Sequence, residues 1–147
     1  MDIGFGDVVT PAPSALTFPT LIDTVPCAEI LAYSLETVVA EKFHAMITLS
    51  LANSRMKDFF DVYHILVTDR VDSEVLSEAI KATFINRGTY YRENHPLFTE
   101  EFFTDKTRQS FWNVFIRKIK YQEPLDFATV GALLRERLFP YWDAVRK

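Results

Sequence analysis

The chain has 147 residues, 48% hydrophobic and 24% charged, a composition that suits one soluble globular domain with a substantial core. No apolar run approaches the roughly 20 residues of a membrane span, and the start, Met1-Asp2-Ile3-Gly4, lacks the basic and apolar segments of a leader. The net charge of −4 argues against broad electrostatic binding of nucleic acid, although it leaves room for a local basic patch.

The lone cysteine, Cys27, gives neither a disulfide framework nor a thiolate metal cluster, so a reducing cytoplasm is the expected compartment. Thirteen phenylalanines point to a core of large rings.

In chain order, Ile3, Phe5, Val8 and Val9 fit a buried or edge strand, in which Gly4 and Gly6 allow a bulge or a close ligand approach. Pro11, Pro13 and Pro19 predict an irregular stretch, with Leu21-Ile22 and Val25 as short strand candidates. Residues 29–33 read as a helical turn or a further short strand. Ser34 then caps a first long helix. At about 100° per residue, Leu35, Val38, Val39, Met46 and Leu49 share an apolar arc, with Phe43 and Ala45 at its margins. Glu36, Thr37, Glu41, His44 and Thr48 take the polar side, where His44 is expected to be solvated. Ala52-Asn53-Ser54 supplies turn and capping chemistry for a second helix, whose core stripe is Phe59, Val62, Tyr63 and Leu66.

A third helix is capped by Asp72 or Ser73, runs through Val75, Leu76, Ala79, Ile80 and Phe84, and ends at Gly88. Residues 89–103 read as a loop containing Pro96. A fourth helix over 105–119 turns Phe111, Trp112, Phe115 and Ile119 inward. A fifth starts near Asp126 and carries Val130, Leu133, Leu134, Leu138 and Trp142; Pro140 is expected to kink or split it. The fold class is therefore α+β, predominantly α: a short N-terminal β element followed by a bundle of about five helices, as a single domain over 1–147.

The first two helices carry an unusual charge pattern. Lys42 projects from the middle of the apolar arc, and a buried lysine needs an anion or a route to solvent. Asp58 and Asp61, three residues apart, share one face at the edge of the next helix's core stripe. Spacing leaves two readings open: a structural ion pair between packed helices, and a functional site. Elsewhere, His44, His64 and His95 are scattered and predict no zinc site. Arg87, Tyr90, Tyr91 and Arg92 interleave cations with rings, a pattern that stacks on RNA or simply decorates a polar loop. Arg117, Lys118 and Lys120 complement a helix dipole.

Ala40-Glu41-Lys42 with Ala45, then Arg55-x-Lys57-Asp58-x-x-Asp61-x-Tyr63-x-x-Leu66, resembles the paired C-terminal motifs of the AbiEii/AbiGii toxin family. These are nucleotidyltransferases of the DNA polymerase β-like superfamily. Asp2-Ile3-Gly4-Phe5-Gly6-Asp7 with Thr10-Pro11 resembles the strand before those helices. Pro26-x-x-Glu29-Ile30-Leu31-Ala32-Tyr33-Ser34-Leu35-Glu36 resembles the intervening segment. The likeness covers the first half of the chain and stops at Leu66. It implies that 1–33 belongs to the nucleotidyltransferase sheet, that 34–68 is the motif-bearing helix pair, and that 69–147 is a C-terminal helical region.

The resemblance further implies a nucleoside triphosphate donor, an acceptor such as tRNA or another RNA, Mg²⁺ as cofactor, and an antitoxin that acts indirectly. Asp2 matches the third metal-binding carboxylate, with Asp7 as the fallback. Lys42 would contact the phosphates. Asp58 would orient Lys42 or act as general base, and Asp61 would hold the local network. Arg55 and Lys57 would assist with phosphate, although Lys57 is equally an i,i+4 partner of Asp61.

One departure is decisive. The four glycines, Gly4, Gly6, Gly88 and Gly131, form no Gly-Ser or Gly-Gly pair, and Asp-x-Asp occurs nowhere. One strand carboxylate cannot hold two Mg²⁺ ions for in-line transfer, so the chain is expected to be inactive alone. It reads as the later part of a longer or two-chain enzyme, and apolar surface near Ile3, Phe5 and the first helix would then favour self-association.

Overall fold

A computed structural model of the chain describes residues 11–18, 28–68 and 70–146. The strand expected over residues 2 to 9 lies outside them, as do Leu21-Ile22, Val25, Asp2 and Asp7. In the proline-flanked stretch read as irregular, β1 (Ser14–Phe18) forms and pairs antiparallel with β2 (Ala28–Ala32). Ser14 lies opposite Ala32, and Leu16 opposite Ile30. Pro11 and Pro13 precede β1 and Pro19 follows it, so no ladder donor is lost inside the strand.

Six α-helices follow among the described residues: α1 (Leu35–Leu49), α2 (Met56–Val67), α3 (Ser73–Asn86), α4 (Glu100–Thr104), α5 (Lys106–Lys118) and α6 (Phe127–Ala144). The predominantly helical α+β class is as the sequence predicts. The loop expected over 89–103 instead contains a 3-10 turn, Pro96–Phe98, and leads into α4. Three helices begin with the capping chemistry their sequences advertise. Ser34 Oγ accepts the Thr37 N–H at 3.1 Å. Asp72 Oδ1 accepts from Glu74 and Val75, and Asp126 Oδ1 accepts from Thr129 at 2.6 Å.

The buried side of α1 is rotated from the expected arc. Val39, Ala40, Phe43, Met46 and Ile47 are inside, whereas Leu35 and Leu49 are 39% and 37% exposed. The cause is α3, which covers the side carrying Glu36, Phe43 and His44. The Phe43 and Phe84 ring centroids lie 5.3 Å apart. Polar groups on that side are buried but satisfied, as burial requires. Glu36 Oε1 accepts the Asp72 N–H at 3.0 Å. His44, expected on the solvated face, is 8% exposed and shares Nε2 with Thr89 Oγ1 at 2.7 Å and Thr48 Oγ1 at 3.3 Å.

The rings form a connected core. Phe59 of α2 meets Phe102, Phe103 and Phe127 at centroid distances of 5.3 to 6.1 Å, edge-on and tilted geometries that suit aromatic quadrupoles. Trp112 is wholly buried, its Nε1–H donating to the Leu125 carbonyl at 2.8 Å. Of the other residues expected inward here, Phe111 of α5 and Ile119 at its C-cap are exposed. Helix α6 neither splits nor stops at Pro140. Pro140 and Glu136, whose carbonyl loses its i+4 donor, both lie on the exposed side, where water can hydrate that carbonyl.

Candidate functional site

The helix pair α1–α2 brings Lys42, Arg55, Lys57, Asp58 and Asp61 into one cluster. Its geometry follows from two local constraints. Phe43 and Met46 anchor α1 in the core, which fixes the direction in which Lys42 points. The connection to α2 is held by Asn53, whose Oδ1 accepts the Arg55 N–H at 2.9 Å. The expected Ala52-Asn53-Ser54 turn thus acts through Asn53, and Arg55 itself occupies the N-cap position without a side-chain capping bond. Phe59, Val62 and Leu66 bury the adjoining stripe of α2, leaving Asp58 and Asp61 along its edge at the seam with α1.

Lys42 Nζ donates to Asp58 Oδ1 at 2.6 Å and lies 2.9 Å from Asp61 Oδ2. The second Asp58 oxygen lies 2.8 Å from Arg55 Nε, an ion pair whose N–H direction falls outside hydrogen-bond geometry. Lys57 Nζ donates to Asp61 Oδ2 at 2.6 Å, its i,i+4 partner. The Asp58 side chain is 4% exposed, while those of Lys42 and Asp61 are 21% and 23% exposed. Burial alone pulls the Lys42 ammonium down, but its bonds to Asp58 and Asp61 outweigh this and raise its pKa above 10.5. Burial likewise pushes the Asp61 carboxyl up, and Lys42 and Lys57 reverse this to a net lowering. Both shifts favour the charged forms of Lys42 and Asp61 at neutral pH. Three cations face two carboxylates, so the cluster keeps a positive excess on a chain whose net charge is −4.

A two-metal centre needs several carboxylates around each ion. Among the described residues no group of three or more His, Cys, Asp or Glu side chains could hold a metal. Asp58 and Asp61 already face two cations each. The described residues do not fit Mg²⁺, and Asp2, the expected ligand, lies outside them.

The basic and aromatic run after α3 is divided rather than joined into one stacking face. Arg87 pairs with Glu41 of α1 at 2.6 Å, Tyr91 stacks on Trp142 at 5.2 Å, and Tyr90 is 87% exposed. The sequence reading missed the wall opposite the charge cluster. Ser110, Phe111, Val114, Phe115 and Lys118 of α5 line a cleft of about 730 Å³ together with Arg55, Lys57 and Asp58. The available signal was the surplus of apolar residues on α5, more than one buried stripe can use.

A mostly helical fold thus seats one lysine between two aspartates, with two further cations alongside. The chain belongs to the family described as nucleotidyl transferase AbiEii toxin, type IV TA system, which it matches over residues 1–145. Membership implies a nucleotide substrate, a divalent cation and an antitoxin. No curated protein and no solved structure matches the chain. No described helix is long and apolar enough to cross a membrane.

Proposed function

We propose that this chain carries the phosphate-handling half of a nucleotidyl-transfer site, in a cytoplasmic toxin of a phage-defence system. The donor is a nucleoside triphosphate and the acceptor an RNA such as tRNA. The antitoxin acts indirectly, without seating on the site. Lys42 meets the donor phosphates as a point charge. Arg55 contributes its exposed guanidinium edge, and Lys57 a secondary contact. Asp58 orients Lys42 rather than acting as general base, because its buried carboxylate is already engaged by Lys42 and Arg55. Asp61 keeps the cluster assembled. Asp2 supplies one metal-binding carboxylate, and the Asp-x-Asp carboxylates that Mg²⁺ requires come from another segment or polypeptide. Leu35 and Leu49 give α1 an apolar surface for that partner, or for a second copy of the chain.

The observation that carries this reading is the Lys42 ammonium held at 2.6 and 2.9 Å by two carboxylates while still partly open to solvent. That arrangement keeps a cation fixed, charged and reachable. Two measurements on the 147-residue chain test it. Supplied with Mg²⁺, nucleoside triphosphate and RNA, it should transfer no nucleotide, and robust transfer would overturn the account of the missing carboxylates. It should nevertheless bind the triphosphate, and Lys42→Met should weaken that binding at least tenfold.

The competing reading is a non-catalytic helical module in which Lys42 and Asp58 merely join two helices. The full engagement of Lys42 by carboxylates favours it. Exchanging Lys42 and Asp58 is not a clean test, because a lysine at 58 would face Arg55 and an aspartate at 42 would face Asp61. If Lys42→Met lowers stability but leaves nucleotide affinity at the wild-type value, the module reading replaces ours.

A further inference from the structure

We infer that the cleft between the first turn of α2 and α5 is the subsite for the base of the nucleotide, with the ring against Phe111 and Val114. Lys118 faces the phosphates from the wall opposite Arg55 and Lys57. This rests on the reading of Lys42 as a phosphate contact and extends it to a helix outside the family-like motifs.

The two walls differ in chemistry. Arg55 and Lys57 lie on the α2 side, with side chains 61% and 73% exposed. On α5, Phe111 and Val114 are three residues apart and so share a face. They are 47% and 54% exposed, although α5 buries Trp112 completely. One turn further along, Lys118 lines the same cleft. A volume of about 730 Å³ falls within the range of small-ligand sites.

A flat ring beside a branched aliphatic side chain, rimmed by three cations, matches a ligand with a planar apolar part and a polyanionic part. A nucleoside triphosphate is such a ligand. The cleft reaches Asp58, which binds Lys42 directly, so the cleft adjoins the Lys42 cluster through that carboxylate, while Lys42 itself does not line it. Stacking on an exposed ring tolerates any base, and Phe111 therefore sets affinity more than base identity.

The experiment is equilibrium binding of ATP, GTP, CTP and UTP to the 147-residue chain, with inorganic tripolyphosphate as the base-free probe. The expected result is that Phe111→Ser weakens each nucleotide about tenfold, the scale of one stacked base, and leaves tripolyphosphate unchanged. Lys118→Gln, at an exposed position where only a small helix-dipole contribution is lost, should weaken nucleotides and tripolyphosphate together. If both variants bind nucleotide like wild type while Lys42→Met does not, the α5 subsite is wrong and the Lys42 reading stands. If the wild-type chain binds neither ligand, both fall. Equal loss of nucleotide and tripolyphosphate in Phe111→Ser would also overturn the base assignment.

Discussion

The ammonium groups of Lys42 and Lys57 converge on one oxygen, Oδ2 of Asp61, at 2.9 and 2.6 Å. The two contacts are not equivalent. Lys57 reaches it along a single helix from a side chain that is 73% exposed, whereas Lys42 reaches it from another helix and also bonds the buried Asp58. Lys57→Ala should therefore change stability by less than about 0.5 kcal/mol, as for other exposed i,i+4 pairs. Lys42→Ala should cost about 2 kcal/mol, because Asp58 then keeps only Arg55 for its buried charge. Urea unfolding of the two variants checks the contrast, and equal costs would mean that Asp58 does not depend on Lys42.

Two histidines make stability depend on pH. Burial, and then the Arg87 guanidinium, lowers His44 below its ordinary 6.5. Burial and Arg92 lower His95, against an opposing contribution from its bond to the Ile47 carbonyl. Below pH 6.5 the unfolded chain binds protons that the folded chain refuses, so stability falls with pH in that range and levels off above it. Thermal melts between pH 7.5 and 5.5 should show the decline. It should be shallower in His44→Gln, and an unchanged slope would exclude His44 as a contributor.

Gly131 lies directly against the Phe103 ring, and a Cβ at that position would sit inside van der Waals contact with Phe103 Cγ, Cδ1 and Cδ2. Gly131→Ala should destabilise by about 2 kcal/mol through overpacking, although alanine is the better helix former. Adding Phe103→Leu should recover part of that loss. Calorimetric melts of the single and double variants separate packing from propensity.

Pro140 sits inside α6 on its exposed side. Restoring the missing N–H with Pro140→Ala should raise stability by about 1 kcal/mol, read as a higher urea midpoint. A lower midpoint would show that the proline ring has a packing role.

Much of this architecture was legible because its signals are local. Ser34, Asp72 and Asp126 cap the helices whose starts they mark, and Phe59, Val62 and Leu66 are buried as their spacing requires. The meeting of Lys42 with Asp58 and Asp61 was legible from misplaced charge alone, though the ion pair from Arg55 to Asp58 was not. What periodicity missed depends on partners distant in sequence. His44 reads as a polar-face residue until α3 and Thr89 cover it. Leu35 and Leu49 read as core until the same docking turns them outward. Phe111 reads as inward because α5 carries more apolar side chains than its buried stripe holds. The hairpin β1–β2 was hidden by prolines that flank a strand instead of breaking it.

The two tryptophans occupy different neighbourhoods of the ring core, and both are dry. Trp112 stacks on Phe127 at 5.2 Å and stands 5.8 Å from Phe115, directly behind the α5 wall. Trp142 lies among Tyr91, Phe84 and His95, with its Nε1–H on the Arg92 carbonyl at 3.3 Å. The chain thus carries two built-in optical reporters. Trp142→Phe leaves an emission that watches the wall of the cleft, and Trp112→Phe leaves one that watches the packing of α3 against α6.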